Sequence, residues 1–276
     1  MKTDRWKLAC VVVCLLIHGG YATAQLSDEI VAGRDATIAF IEAAEVTDAE
    51  KMPASEGVTE PYKLKLELDG RSEQALWKNP QGRVQGFVEG WKYEIAAYAL
   101  DKYLGTNMVP PTTMKRYKGS QGSCQIWVDH WINMDKMIQE NLNPTGGDVR
   151  NFNRAVYLQR AFDNLIANED RHLRNILLTD DWKMILIDHS RSFRYSKKHQ
   201  KKLIFTERHP EGPKLMRQLP KEFVSRVEAL DAEKLSELVG EWLTEAEMAA
   251  ILARKELILT EIARLVEENG ESATLY

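Results

Sequence analysis

The sequence predicts an α+β fold of two lobes, a small antiparallel-sheet lobe over residues 25–142 and a mostly helical lobe over 143–276. Three observations lead there. Short alternating segments joined by tight turns fill the first half, most clearly at 62–68 followed by Asp69-Gly70. Longer stretches of 3.6-residue periodicity fill the second half. Between them, Asn143-Pro144-Thr145-Gly146-Gly147 reads as a link.

Bulk properties set the frame. The chain has 276 residues, 44% hydrophobic and 28% charged, a globular balance with enough length for two lobes sharing a cleft. A net charge of -4 gives no general drive toward nucleic acid. Lys2, Arg5 and Lys7, then an apolar run from Leu8 to Ile17, then Ala22-Thr23-Ala24, form a secretory signal pattern at residues 1–24. Cleavage after Ala24 is expected, with export to a periplasm or to the exterior; an uncleaved anchor is the alternative. The run is too short for an easy bilayer span, and no membrane span is expected in the mature chain. Cys10 and Cys14 fall in the signal, so Cys124 remains alone and is expected as a small buried hydrophobe.

In chain order, 28–44 reads as a helix with an apolar stripe at Ile30, Val31, Ile38, Ile41 and Ala44, interrupted by Gly33. Residues 47–61 read as a polar loop. A strand at 62–68 turns through Asp69-Gly70 into a second at 74–78, closed by Asn79-Pro80-Gln81-Gly82. A helix over 89–104 ends at Gly105, in the C-cap position. Pro110-Pro111 forces an extended exit. Strands at 115–117 and 125–128 are expected around the Gly119–Gly122 turn. In the second lobe, a helix spans 148–167, short strands lie at 176–178 and 184–187, and helices cover 220–239 and 244–268. The last opens on the capping box Thr244-Glu245-Ala246-Glu247. The basic run from Lys197 to Lys202 reads as solvated surface.

The chemistry concentrates in Asn168-Glu169-Asp170-Arg171-His172-Leu173-Arg174-Asn175 and the later Ile185-Leu186-Ile187-Asp188. A carboxylate follows a helix, and an Asn comes five residues later, just before a strand. A tight hairpin then returns to a second carboxylate. That hairpin brings Asn175 and Asp188 together, with Asp170 on the adjoining loop. Two neighbouring oxygen-bearing side chains suit a hard cation that keeps waters and borrows phosphate oxygens. A free carboxylate nearby can orient a hydroxyl nucleophile, the division of labour of a phosphotransferase. The Asp-to-Asn spacing also matches the catalytic loop of protein kinases.

These strings resemble known atypical kinases. Asp-Arg-His-x-x-Asn with the later Ile-Asp looks like the loops of phosphatidylinositol 3- and 4-kinases. The fuller Phe162 to His172 string, with Ile187-Asp188-His189-Ser190-Arg191-Ser192-Phe193, is similar to the secretory-pathway kinases (Golgi casein kinase and four-jointed group) and to the HipA-like kinases. The absence of extra cysteines suggests a bacterial, exported member. The resemblance covers about residues 50–195 and implies a kinase-like fold acting with ATP and Mg²⁺ or Mn²⁺ on a protein or glycan hydroxyl. On this reading Lys78, in Ala75-Leu76-Trp77-Lys78, contacts phosphates, and Glu94 orients Lys78. Gly57 lies in a phosphate-covering loop, and Trp127 touches adenine. Asn175 and Asp188 hold metal, Asp170 positions the acceptor hydroxyl, and His172 and Asn168 brace the loop.

Departures are plain in the residues. The loop at 55–59 has one glycine where kinases have three, and His-Ser follows Asp188 where protein kinases have Phe-Gly. His172 has the alternative role of general base. His189 beside Asp188 invites a transition-metal reading, but no zinc-type spacing accompanies it. The other tryptophans are expected in the core. Two other readings stay open: an exported pseudokinase or nucleotide-binding scaffold without turnover, and a transferase of AMP on the same fold.

Overall fold

The computed structural model describes residues 26–53, 61–84, 87–205 and 216–276. The signal segment at 1–24 and the expected phosphate-covering loop with Gly57 lie outside the described residues. The architecture is α+β, with an N-terminal antiparallel sheet and a helical C-terminal region.

Gly33 divides the first helix into α1 (Asp28–Ala32), capped by the Ser27 side chain, and α2 (Arg34–Ala43). The next segment departs from the expected loop: Glu45–Lys51 is a strand, β1. It pairs antiparallel with β2 (Tyr62–Leu68), with an irregularity between Val46 and Asp48. Its sequence shows no apolar alternation because it is a largely exposed edge strand, held by ladder hydrogen bonds more than by burial. Asp69 and Gly70, both at positive φ, turn β2 into β3 (Arg71–Lys78).

A small hairpin, β4 (Gln81–Val84) and β5 (Phe87–Gly90), occupies the start of the expected helix, so α3 (Trp91–Leu104) begins two residues late. Gly105 ends α3 at φ 69°. Strands β6 (Thr112–Tyr117) and β7 (Ser120–Ile126) complete a five-stranded sheet in the order β1-β2-β3-β7-β6. Their turn is Lys118-Gly119, and Gly122 lies inside β7. A Cβ on Gly122 would stand 2.6 Å from the Lys78 carbonyl and 2.7 Å from the Trp77 ring. Glycine there lets β3 and β7 approach closely beneath Trp77.

The sheet has two different faces. Leu64, Leu66, Ala75, Trp77 and Cys124 pack with Phe40 and Ile41 of α2 in one core. Lys115 ties α2 down, its buried ammonium donating to the Ile41 and Ala44 carbonyls at 2.7 Å each. The period-2 rule puts Gln74, Leu76 and Lys78 on the opposite face.

Two unexpected elements follow, β8 (Ile132–Asn133) and α4 (Met134–Gln139). β8 joins β9 (Ile176–Leu178) and β10 (Met184–Leu186) in a sheet of order β10-β9-β8, so residues 132–139 pack with the C-terminal elements ahead of the 143–147 link. The long α5 (Asp148–Ile166) ends at Ala167, held left-handed at φ 50°. The basic run forms a short helix, α6 (Lys197–Lys201), with no buried residue. The expected 220–239 helix is two, α7 (Lys221–Ala229) and α8 (Ala232–Val239), because Asp231 caps α8 through the Lys234 amide. α9 (Glu245–Asn269) opens on the capping box of Thr244 and Glu247, and a short α10 (Glu271–Thr274) follows. The main core joins α3 to α5, α7, α8 and α9 through residues such as Leu100, Leu104, Phe162, Val227 and Ile258.

Candidate active site

Four segments far apart in sequence meet at Lys78. The end of β3 presents its ammonium, buried at 7% exposure. Glu94, from the first turn of α3, lies with Oε1 2.5 Å from Lys78 Nζ. Asp188, just past β10, accepts from the same Nζ through Oδ1 at 2.9 Å. Asn175, at the end of a short 3-10 turn (Leu173–Asn175), donates from Nδ2 to Asp188 Oδ2 at 3.3 Å. The β9–β10 hairpin produces that meeting, since the Ile187 amide donates to the Asn175 carbonyl at 3.1 Å. Asp188 sits at φ 60°, a left-handed conformation that Asp tolerates better than most residues. A non-glycine residue held this way is the kind of local strain that clusters at functional sites.

The electrostatics favour ions. Burial disfavours the Lys78 charge, but Asp188 and Glu94 outweigh it and push the pKa up. Burial likewise opposes ionisation of Glu94, yet the Lys78 charge and the contact with His189 hold it well below the usual carboxylate range. For Asp188 the balance also falls on the low side, with Lys78 overcoming burial and the repulsion of Glu94. The His189 amide adds a hydrogen bond to Glu94 Oε2 at 3.0 Å. The His189 ring is fully buried, with Nδ1 3.5 Å from Glu94 Oε2; burial and then the Arg171 charge lower its pKa, against the pull of Glu94.

Asp170 lies on the loop between α5 and the 3-10 turn. Asn168 Oδ1 accepts its amide at 3.2 Å. The His172 side chain is 63% exposed, with Nε2 3.1 Å from Asp170 Oδ1. The bracing expected of His172 is made instead by Arg171. Its guanidinium grips Asp163 with two bonds of 3.0 Å and also donates to the Asn175 and Ile187 carbonyls, tying together the chain segments that carry Asn175 and Asp188. The sequence reading did not assign Arg171 this part. It also missed Arg191 and Glu89: Arg191 Nη1 donates to Asp170 Oδ2 at 3.1 Å, and its Nε donates to Glu89 Oε1 at 2.6 Å. No motif marks Glu89, since only the three-dimensional path of β5 brings it there.

Trp127 follows β7, its amide donating to the Gln74 carbonyl at 2.8 Å. It lines an open cavity of about 450 Å³ with Lys63, Lys65, Gln74 and Asp129. Lys63 Nζ stands 4.4 Å from the Trp127 ring centroid. This cavity shares the Lys78 face of the sheet, but four strand residues away from Lys78, about 13 Å at a strand's rise. The ends of β1 and β2 flank the Lys78 end of β3, since Lys51 pairs with Tyr62 and Tyr62 with Trp77. Lys51 and Tyr62, where β1 ends and β2 begins, therefore lie at the Lys78 end of the sheet.

Among the described residues, no group of three or more His, Cys, Asp or Glu side chains forms a closed metal cage. The Asn175 and Asp188 pair offers instead two hard oxygen donors, with the Asp188 side chain 42% exposed. That donor set fits a cation that completes its shell with water and ligand oxygens.

No protein-family model matches the chain, and no curated protein matches it. Among solved structures it is similar to the Helicobacter pylori proinflammatory kinase CtkA, at 13% identity and a TM-score of 0.47, covering 86% of this chain and 98% of that one. At that identity and score the likeness says nothing about chemistry.

Proposed function

We propose that this protein has a kinase-like fold and is an ATP- and metal-dependent phosphotransferase that acts on a hydroxyl acceptor, protein Ser/Thr or glycan. The observation that carries the reading is the buried Lys78 ammonium shared between Glu94 and Asp188, with Asn175 on the second oxygen of Asp188. A strand lysine held by a helix carboxylate, next to an Asn and Asp pair, is the assembly that phosphoryl transfer in protein kinases requires. Lys78 would hold phosphate oxygens when a nucleotide displaces Asp188. Asn175 and Asp188 would hold Mg²⁺ or Mn²⁺, which supplies charge neutralisation of the phosphates. A nucleotide lying along the sheet face from Lys78 would bring its base toward Trp127, and the Gly57 loop would cover the phosphates. Asp170 would orient the acceptor hydroxyl, so that catalysis comes from positioning and fixed charge.

Export belongs to the same proposal and rests on the residues from Lys2 to Ala24. N-terminal sequencing of the protein recovered outside the cytoplasm is expected to begin at Gln25.

The direct test is the melting temperature of residues 25–276 with ATP and Mg²⁺ or Mn²⁺, beside Asp188→Ala. Saturation at 100 times the dissociation constant stabilises by about 2.7 kcal/mol. A metal-dependent rise of several degrees that vanishes in Asp188→Ala supports the site. No rise with either metal at saturating ATP would remove nucleotide binding from the reading. Label transferred from γ-labelled but not α-labelled ATP then distinguishes phosphate from AMP transfer, and binding without transfer identifies a scaffold.

A further inference from the structure

The side chain that meets Asp170 from within the protein is itself anchored at its other edge. Arg191 Nε donates to Glu89 Oε1 at 2.6 Å, and Nη2 lies 2.5 Å from the same oxygen. Nη1 donates to Asp170 Oδ2 at 3.1 Å. Glu89 is 2% exposed, and its Oε2 is buried with no hydrogen-bond partner among the described residues, so the oxygen seen to be hydrogen-bonded is the one on Arg191. The guanidinium is a rigid planar fork, which makes a bridge between two carboxylates directional.

The backbone around this bridge is also stitched. The Gly90 amide donates to the Ser190 carbonyl at 2.9 Å, and Arg194 Nη1 donates to the Val88 carbonyl at 3.0 Å. Strand β5 is thus fastened to residues 190–194 on both sides of Glu89, and β5 runs directly into the helix that carries Glu94. On Asp170 the two oxygens differ. Oδ2 is held by an arginine side chain only 13% exposed, whereas Oδ1 meets the 63%-exposed ring of His172.

We propose that Arg191, anchored by Glu89, is a positioning residue for Asp170. It immobilises Oδ2 from the protein side and leaves Oδ1 on the solvent side, where an acceptor hydroxyl arrives. Because Glu89 and Glu94 share one β5–α3 segment, the orientation of Asp170 is coupled to the pairing of Lys78. The inference rests on the phosphotransferase reading. A loop carboxylate needs such support, since small misplacements of a reacting group cost about 100-fold in rate.

The test compares Arg191→Gln, Arg191→Lys and Glu89→Gln in the full mature chain, measuring transfer from γ-labelled ATP to casein and to the chain itself. Arg191→Gln is expected to lower kcat about 100-fold while the KM for ATP stays within about twofold and the nucleotide-dependent rise in Tm persists. Arg191→Lys recovers part of the rate, and Glu89→Gln falls between. A kcat for Arg191→Gln within about threefold of the parent would overturn the proposal, as would a rate loss matched by loss of the nucleotide-dependent rise. If the parent chain binds nucleotide but transfers no phosphate, it is the phosphotransferase reading that fails. The bridge is then judged by melting of Arg191→Gln, Asp170→Asn and the double variant. Non-additive losses of Tm support the orienting contact and additive ones overturn it.

Discussion

At the scale of single residues, the site stores its stability in charges that burial opposes. Lys78 holds its proton because two carboxylates outweigh burial, and Glu94 stays ionised because Lys78 does. A carboxylate whose folded pKa is depressed contributes stability above its unfolded pKa and loses it as the pH falls through the folded value. The unfolded value for Glu is near 4.5, so the contribution of Glu94 is full at neutral pH and drains away as the solution is acidified below about 4.5. Thermal melts from pH 7 to pH 3 are expected to show a steep acid loss in the parent and a shallower one in Glu94→Gln. Equal slopes would mean that Glu94 carries no such linkage. At neutral pH, Glu94→Gln is expected to be the less stable protein by about 3 kcal/mol, because the buried Lys78 ammonium then keeps only the partly exposed Asp188 as its charge partner.

At the scale of elements, two short sequence features decide whether strand and helix take their places. Gly122 allows β7 to pass against the Lys78 carbonyl and the Trp77 ring. Gly122→Ala must push β3 aside at the residue that carries the site's ammonium. The expected outcome is about 1–3 kcal/mol of destabilisation in a denaturant titration, together with weaker nucleotide binding. Thr244 begins α9 through the reciprocal bonds of its capping box. Thr244→Ala is expected to cost about 1 kcal/mol and to leave nucleotide affinity unchanged, since α9 lies in the main core and supplies no group to the site. A fall in nucleotide affinity for Thr244→Ala would mean that α9 is coupled to the cleft.

At the scale of the molecule, the N-terminal sheet region and the helical C-terminal region share their interior. Leu100 and Leu104 of α3, a helix of the N-terminal half, belong to the core built with α5, α7 and α9. The core beneath the sheet in turn takes in Leu177 and Ile185 from β9 and β10. The Lys78–Asp188 ion pair and the Leu186 amide, which donates to the Met108 carbonyl at 2.9 Å, cross the same boundary. Unfolding is therefore expected as one cooperative transition, with calorimetric and van't Hoff enthalpies in agreement. Two resolved transitions would show that the lobes fold separately.

What the sequence determined by itself is local. Alternation at Tyr62–Leu68, the Asp69-Gly70 turn, Gly105 after α3 and the Thr244 capping box are choices made within a few residues, where backbone preference and side-chain period decide. The order of Lys78, Glu94, Asp170, Asn175 and Asp188 was legible for a related reason: each sits at or near the boundary of an element with a local sequence signal. Only the tertiary structure decided what has no local signature. β1 is an exposed edge strand whose pairing comes entirely from β2, and β8 is two residues recruited by β9. Arg171 took the bracing role expected of His172 because a guanidinium reaches a buried Asp163 and two carbonyls at once, which the exposed imidazole does not. The Glu89–Arg191–Asp170 bridge joins Arg191 to Asp170, 21 positions away, and to Glu89, 102 positions away, only because the fold brings them together. Charges separated so far along the chain meet only when packing brings them within a few ångströms, and that is a property of the fold, not of sequence spacing.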